Sequence, residues 1–226
     1  YGDFIFQTDA MVGKVLRALD EEGLSKDTLI FFTSDNGSFM YNRSGDPDHL
    51  DDATVQAYRP ENHTSNGALR GTKADVWEAG HRVPFFARWP KKIEAGSKCS
   101  NTITHTDLFA TCAELAGAKL PDKAAEDSFS WVPLFQGKFD QFKRAPVINH
   151  SANGTFAIRD GEWKLVLGNG SGGREKPRGK PFGKPYQLYD LKNDLGEKKD
   201  LAAKYPEIVN RLTDRCEAIR AGGRSR

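Results

Sequence analysis

A run of apolar residues ends abruptly at a polar tripeptide, Asp35-Asn36-Gly37. The preceding letters, TLIFFTS at 28–34, have the composition of a buried β-strand. A carboxylate next to an amide supplies the oxygen ligands that a hard divalent cation prefers, and α/β proteins place ligands where strands end. The same tripeptide suits an Asx turn, and Gly37 would let the chain turn sharply in either case. A metal site and a plain turn are therefore both open at this position.

Histidine offers a second kind of candidate. His150 closes the predicted strand APVINH at 145–150. From there it either touches a substrate or serves as a hydrogen-bonded structural residue, which is the commoner role for such a histidine. His49 and His63 lie in a long polar segment, 39–66, and are candidate substrate contacts by location alone.

The composition excludes several classes of protein. The chain has 226 residues, 38% of them hydrophobic and 28% charged, with a net charge of +2 and no basic cluster that would indicate nucleic-acid binding. No apolar run approaches the about 20 residues that a membrane span needs. The cysteines are odd in number and far apart, which favours neither a zinc knuckle nor a disulfide framework.

The first part of the chain has the pattern of an α/β protein. Apolar residues at spacings of three and four over 5–19 predict a helix that packs on a core and ends near Gly23. The run at 28–34 is typical of a strand covered on both faces, as in a parallel sheet. VPFFARWP at 83–90 is interpreted as a second buried strand, and 104–117 as a helix.

The pattern of apolar residues changes in the second part of the chain. APVINH, TFAIRDGEWKLVLG and YQLYDL are short alternating segments that predict antiparallel strands, with a turn at Asp160-Gly161. Residues 168–185 are rich in Gly, Lys and Pro and predict a mobile surface loop. Residues 205–221 predict a final amphipathic helix whose apolar side faces inward.

Several stretches together resemble one family, the type I sulfatases of the alkaline-phosphatase-like superfamily. They are, in chain order, TDAMVGKVLRALDEEGL, TLIFFTSDNG, GALRGTKADVWEAGHRVPFFARWP, THTDLFATCAELAGA and YQLYDLKNDLGEKKDLA. The resemblance implies an α/β fold in which 1–137 form the C-terminal portion of an alkaline-phosphatase-like α/β/α sandwich. Residues 138–226 would form a small antiparallel sheet with a C-terminal helix.

The resemblance also implies roles for particular residues. Asp35 and Asn36 match a pair of metal ligands in the family, for one divalent cation, calcium. Lys73, in RGTKADVWEAGHR, matches the lysine that contacts a sulfate oxygen and is the catalytic and substrate-binding candidate. His150 remains a substrate-binding candidate.

The charged neighbours of Lys73 are interpreted as structural. They are Arg70, Glu78, His81 and Arg82, all within residues 70–82.

The family's nucleophile, a Cys or Ser oxidised to formylglycine in a Cys/Ser-x-Pro-x-Arg motif, has no counterpart in these 226 residues. Cys99 is followed by SNTI and Cys112 by AELA. We therefore expect the resemblance to cover only the C-terminal half of a sulfatase, and the chain alone to be inactive. Its partners would be a sulfate ester, such as a sulfated carbohydrate, and either the missing N-terminal half or a second copy. The resemblance favours a periplasmic or secreted location.

Two alternatives stay open. A phosphodiesterase or phosphonate hydrolase of the same superfamily shares the layered core and the oxyanion chemistry. A module that binds sulfated glycans without catalysis would explain why the nucleophile motif is absent.

Overall fold

The computed structural model describes residues 2–38 and 63–226. Most of the predicted loop at 39–66, with His49, therefore lies outside the described residues. The first part contains α1 (Gly2–Glu21), a 3-10 turn (Ser25–Asp27), β1 (Ile30–Thr33), α2 (Glu78–His81), β2 (Phe85–Arg88), α3 (Asp107–Leu115) and α4 (Val132–Phe135). The second part contains β3 (Val147–His150), β4 (Phe156–Asp160), β5 (Trp163–Val166), β6 (Gln187–Asp190) and α5 (Pro206–Gly222).

The two predicted strands of the first part exist, but they pair with each other in antiparallel register from Ile30↔Arg88 to Thr33↔Phe85. The expectation of a parallel strand covered on both faces is therefore wrong for β1. One face of β1 packs on Trp131, and the centres of the Trp131 and Phe31 rings lie 5.5 Å apart. On the other face Phe32 and Phe86 are 40% and 64% exposed. An apolar run indicates how much apolar surface a strand can bury. It does not indicate whether the neighbouring strand is parallel or antiparallel.

Helix α1 ends as predicted, just before Gly23, whose φ of +71° takes the chain out of the helix. The predicted packing on a core is only partial. Val12, Leu16 and Leu19 are half-buried, and no residue of α1 is fully buried. The helix thus presents an apolar face without a complete partner among residues 2–38 and 63–226.

The predicted antiparallel sheet of the second part is confirmed. Its order is β3-β4-β5-β6, and every neighbouring pair is antiparallel. The predicted turn at Asp160-Gly161 joins β4 to β5, with Gly161 at a φ of +61°. Helix α5 covers one face of the sheet and buries Leu212 and Cys216 completely.

The glycine-rich segment 168–185 is packed where a mobile surface loop was predicted, so that prediction is wrong for its first half. Ser171 is fully buried, and its carbonyl oxygen accepts the Val76 N–H at 2.8 Å. A side chain on Gly170 would overlap the backbone of 177–179. Glycine here allows two backbone segments to approach each other closely. Composition alone does not distinguish this role of glycine from flexibility.

Residues on both sides of position 137 share one core. Val76 and Trp77 are fully buried in a cluster with Ala157, Val166 and Tyr189 from the C-terminal sheet. The segment that carries Lys73 is thus anchored on the second part, while the division at 137 stays a prediction.

None of the helices in the described ranges combines the length and apolar character that a membrane crossing requires.

We expect Asp107→Ala to lower the free energy of unfolding by about 3–5 kcal/mol, because it leaves a buried charge unpaired. The fully buried Asp107 carboxylate accepts the Thr104 N–H at 2.9 Å and pairs with Arg144, itself 9% exposed, at 2.9 Å. Urea denaturation of the complete protein measures the change. The control is Asp27→Ala, whose exposed pair with Lys91 should contribute less than about 1 kcal/mol; equal losses in both variants would contradict the prediction.

Candidate functional site

The polar tripeptide after β1 does not form an Asx turn. Such a turn would use the Asp35 carboxylate to accept the Gly37 N–H. In the structure the Gly37 N–H donates to the Gly80 carbonyl oxygen at 3.1 Å, and the Ser34 hydroxyl donates to the Asn36 carbonyl oxygen at 2.9 Å. Within the described part of the chain, no hydrogen bond or ion pair involves the Asp35 carboxylate or the Asn36 side-chain amide. Both side chains therefore keep their oxygens available for a ligand.

Gly37 is required by close packing rather than by a sharp turn. Its φ lies outside the left-handed region, so the predicted reason for a glycine is wrong. A Cβ at this position would overlap the Ala79 carbonyl oxygen and lie 3.4 Å from the Gly80 Cα. The strand-end turn is thus seated directly on the backbone of α2.

Asn66 joins the same turn to the segment that follows the undescribed residues. Its side-chain oxygen accepts the Ser38 N–H at 2.9 Å, and its amide nitrogen donates to the Ser38 carbonyl oxygen at 2.8 Å. The same carbonyl oxygen also accepts the Thr72 hydroxyl at 2.6 Å and the Lys73 N–H at 3.3 Å. Sequence reasoning missed Asn66, because nothing distinguishes it from the other asparagines of turn-rich segments.

The candidate histidine reaches this region through a neighbouring turn. The Ala152 N–H, two residues after His150, donates to the Ala74 carbonyl oxygen at 2.9 Å. Lys73 and His150 are both exposed. His150 Nδ1 lies 3.1 Å from the Ser151 carbonyl oxygen, and its ring lies 5.8 Å from that of Phe156. Backbone hydrogen bonds thus bring three parts of the chain side by side. They are the predicted metal-ligand turn at Asp35-Asn36, residues 70–80 around Lys73 (the lysine segment), and the end of β3.

The donor chemistry of Asp35 and Asn36 fits calcium, which takes six to eight oxygen ligands. Two donors do not complete such a shell. The described residues contain no group of three or more His, Cys, Asp or Glu side chains that could hold a metal ion. Asp35 and Asn36 can therefore provide at most part of the ligand shell of a calcium ion.

A fully buried charge cluster lies behind the lysine segment. Lys164 of β5 places its Nζ 3.0 Å from Glu78 Oε1 and 2.9 Å from Glu197 Oε1. Glu197 Oε2 accepts the Glu78 N–H at 2.6 Å. His81 Nε2 lies 3.2 Å from the same ammonium group. The three charged side chains are at most 1% exposed, so their charges act on one another with little screening by water.

The protonation states of the cluster follow from burial and from Lys164. Burial raises the pKa of Glu78, but the charges of Lys164 and its neighbours outweigh that effect and lower it to about 2. Burial and the Lys164 charge lower the pKa of His81 to about 3, although 32% of its side chain is exposed. Burial raises the pKa of Glu197. Glu78 is therefore ionised and His81 neutral at pH 7.

Arg70 completes the attachment of this segment. Its guanidinium lies 3.5 Å from the centre of the Trp77 ring and donates to the Tyr189 hydroxyl at 3.0 Å. It also donates to the Glu197 carbonyl oxygen at 3.1 Å. These contacts agree with the interpretation of Arg70, Glu78 and His81 as structural residues.

Comparison with known proteins identifies the class that the fold and the site define. A family profile described as "Sulfatase" matches residues 1–118, and one described as "N-sulphoglucosamine sulphohydrolase, C-terminal" matches residues 72–222. The chain belongs to the sulfatase family, which confirms the predicted resemblance. It resembles an N-acetylgalactosamine-6-O-sulfatase of Bacteroides thetaiotaomicron, with 34% identity over 97% of this chain and 41% of that protein.

Two further matches extend the comparison. Human steryl-sulfatase is 41% identical over 61% of this chain and 22% of its own length. A solved structure, described under metabolism of multiple glycosaminoglycans by Bacteroides thetaiotaomicron, covers 97% of this chain with a TM-score of 0.81 and 32% identity. That match spans 44% of the solved chain and confirms the predicted fold class. The chain spans less than half the length of these relatives.

We expect Gly37→Ala to destabilise the protein by up to about 3 kcal/mol, because the added methyl group meets rigid backbone of α2 rather than a flexible side chain. Differential scanning calorimetry of the complete protein measures the loss. Gly222→Ala in α5 is the matched control, since nothing lies within 4 Å of its added methyl group. A Gly37→Ala protein as stable as the control would show that the turn is not seated on α2.

We expect stability to fall on acidification from about pH 6.5 towards pH 3, since the folded state holds His81 neutral while the unfolded state protonates it. Below pH 4.5 protonation of Glu78 in the unfolded state adds to the loss, down to about pH 2. His81→Gln should flatten the upper part of this window in urea titrations at fixed pH. An unchanged profile in His81→Gln would contradict the assignment.

Proposed function

We propose that this chain provides one side of the active site of a sulfuric ester hydrolase. The observation that carries the proposal is the seating of the Asp35-Asn36 turn beside Lys73. The Ser38 carbonyl oxygen accepts hydrogen bonds from the Thr72 hydroxyl and the Lys73 N–H at 2.6 and 3.3 Å. These backbone contacts join the turn that carries Asp35 and Asn36 to the segment that carries Lys73, which supports one shared site in a chain of the sulfatase family.

In this proposal Lys73 binds a sulfate oxygen and offsets negative charge as the ester reacts. Asp35 and Asn36 hold a divalent cation, which polarises the ester when bound. His150, at the end of β3, contacts the part of the substrate that carries the sulfate. The formylglycine that the family resemblance implies has no motif in these 226 residues, so the part of this chain is to bind and orient the sulfate group.

A sulfated carbohydrate is the proposed substrate class. The proposal is supported by the relative named as an N-acetylgalactosamine-6-O-sulfatase, which aligns over 97% of this chain, and by the solved structure described under metabolism of multiple glycosaminoglycans, which covers the same share.

We expect Asp35→Ala and Lys73→Ala in the complete protein each to lower kcat/KM for an aryl sulfate by about 100-fold or more, because Asp35→Ala removes a ligand of the cation and Lys73→Ala removes a positive charge that faces the sulfate. A chelator should abolish turnover, and calcium should restore it. The controls are Asp27→Ala and Lys192→Ala, which change exposed residues in surface ion pairs.

Three results would contradict the proposal. Full activity in Asp35→Ala or Lys73→Ala would remove the assigned roles. Faster turnover of a phosphate diester than of a sulfate ester would favour the phosphodiesterase alternative. Tight binding of sulfated glycans with no turnover of either ester would favour the non-catalytic module.

We further propose that the exposed apolar faces of the first part are interfaces. Phe4 and Phe6 of α1 are 73% and 77% exposed, and Phe86 of β2 is 64% exposed. Contiguous exposed apolar residues mark interaction surfaces or aggregation sites. Either further chain of the same protein or a second copy would cover them.

We expect the 226 residues expressed alone to self-associate, because these faces then have no other partner. Size-exclusion chromatography with light scattering measures the mass, and a Phe4→Ser/Phe86→Ser variant should shift it towards the monomer. A well-behaved monomer of the unaltered chain would count against the interface.

A further inference from the structure

Glu197 and Lys164 lie far from Lys73 in sequence, but both contact the lysine segment that carries it. We propose that Glu197, supported by Lys164, is a positioning residue that fixes Lys73 relative to the Asp35-Asn36 turn. The inference rests on the proposed function and adds to it two residues that touch neither metal nor substrate.

Glu197 contacts the lysine segment at two points. Its carboxylate accepts the Glu78 N–H at 2.6 Å, and its backbone carbonyl oxygen accepts the Arg70 guanidinium at 3.1 Å. Lys164 holds the second carboxylate oxygen of Glu197 at 2.9 Å and the Glu78 carboxylate at 3.0 Å. The two points of contact, Arg70 and Glu78, lie on either side of Lys73 along the chain.

The backbone between these anchors requires such support. Gly71 and Ala74, on either side of Lys73, have φ angles of +89° and +80°. A non-glycine residue such as Ala74 is strained in this region and persists only where its surroundings hold it. The Asp75 carboxylate holds the turn from within by accepting the Thr72 N–H at 2.9 Å. Glu197 holds the turn from outside, through the residues at its two ends.

The same segment also sets the position of the metal-ligand turn. Gly80 accepts the Gly37 N–H at 3.1 Å, and Ala79 leaves no room for a side chain on Gly37. Glu197 anchors Glu78, the residue next to Ala79. One carboxylate therefore controls both halves of the proposed site, the lysine on one side and the Asp35-Asn36 turn on the other.

The test compares three variants of the complete protein at a temperature where circular dichroism shows each to be folded. Glu197→Ala removes the contact with the Glu78 N–H, and Glu197→Gln keeps an oxygen that can accept it. Leu212→Ala is the control: it opens a cavity in the fully buried core under α5, away from the lysine segment. The readouts are kcat and KM for an aryl sulfate, and hydrogen–deuterium exchange of the amides at 72–80.

We expect Glu197→Ala to lower kcat by about 10- to 100-fold with a smaller change in KM, since a displaced ammonium group loses more in the transition state than in binding. Glu197→Gln should recover most of kcat, and Leu212→Ala should keep it. Exchange at 72–80 should accelerate in Glu197→Ala alone.

Equal kcat in Glu197→Ala and Leu212→Ala, or equal exchange at 72–80 in both, would overturn the inference. If the unaltered protein hydrolyses no sulfate ester, the proposed function fails. The exchange data then decide by themselves whether Glu197 holds the segment, because they do not depend on turnover.

Discussion

The ion pairs of Lys164 with Glu78 and Glu197 are the interaction on which the site depends. Removing three charged side chains from water costs several kcal/mol each, and only close pairing with further hydrogen bonds offsets that cost. The structure meets this condition: both carboxylates lie within 3.0 Å of the ammonium group, and one also accepts a backbone N–H. A cluster of this kind adds little net stability, but loss of one partner leaves a buried charge unpaired, which strongly disfavours any arrangement that separates these segments.

A short series of contacts connects the C-terminal sheet to the site. β5 and the turn after β6 hold the lysine segment, and the lysine segment holds the strand-end turn through Gly37 and Ser38. The oxygens of Asp35 and Asn36 stay available, and the Gly37 N–H donates to the Gly80 carbonyl oxygen rather than to the Asp35 carboxylate. In the proposed site, the charged groups are thus carried by exposed turns, and we propose that the buried charges of Lys164, Glu78 and Glu197 set their spacing.

The sequence alone predicted the parts of this arrangement that depend on local pattern. Alternation of apolar residues predicted the antiparallel sheet, and ordered motifs predicted the family and the Asp35-Asn36 turn. It did not predict the direction of the β1–β2 pair, the packing of 168–185 or the role of Asn66. Each of these depends on a partner distant in the chain: Ile30 pairs with Arg88, and Asn66 bonds to Ser38 across 28 positions. A lysine such as Lys164 is normally exposed, so its burial is visible only once its two partners are in place.

In the proposed site, oxygens of Asp35 and Asn36 hold a divalent cation next to Lys73. The most direct measurement is a crystal structure of the complete protein soaked in calcium, with anomalous scattering used to locate the ion. The account predicts a calcium ion about 2.3–2.6 Å from a carboxylate oxygen of Asp35 and the amide oxygen of Asn36. A structure in which calcium binds elsewhere, with both side chains hydrogen-bonded to neighbouring backbone, would contradict it.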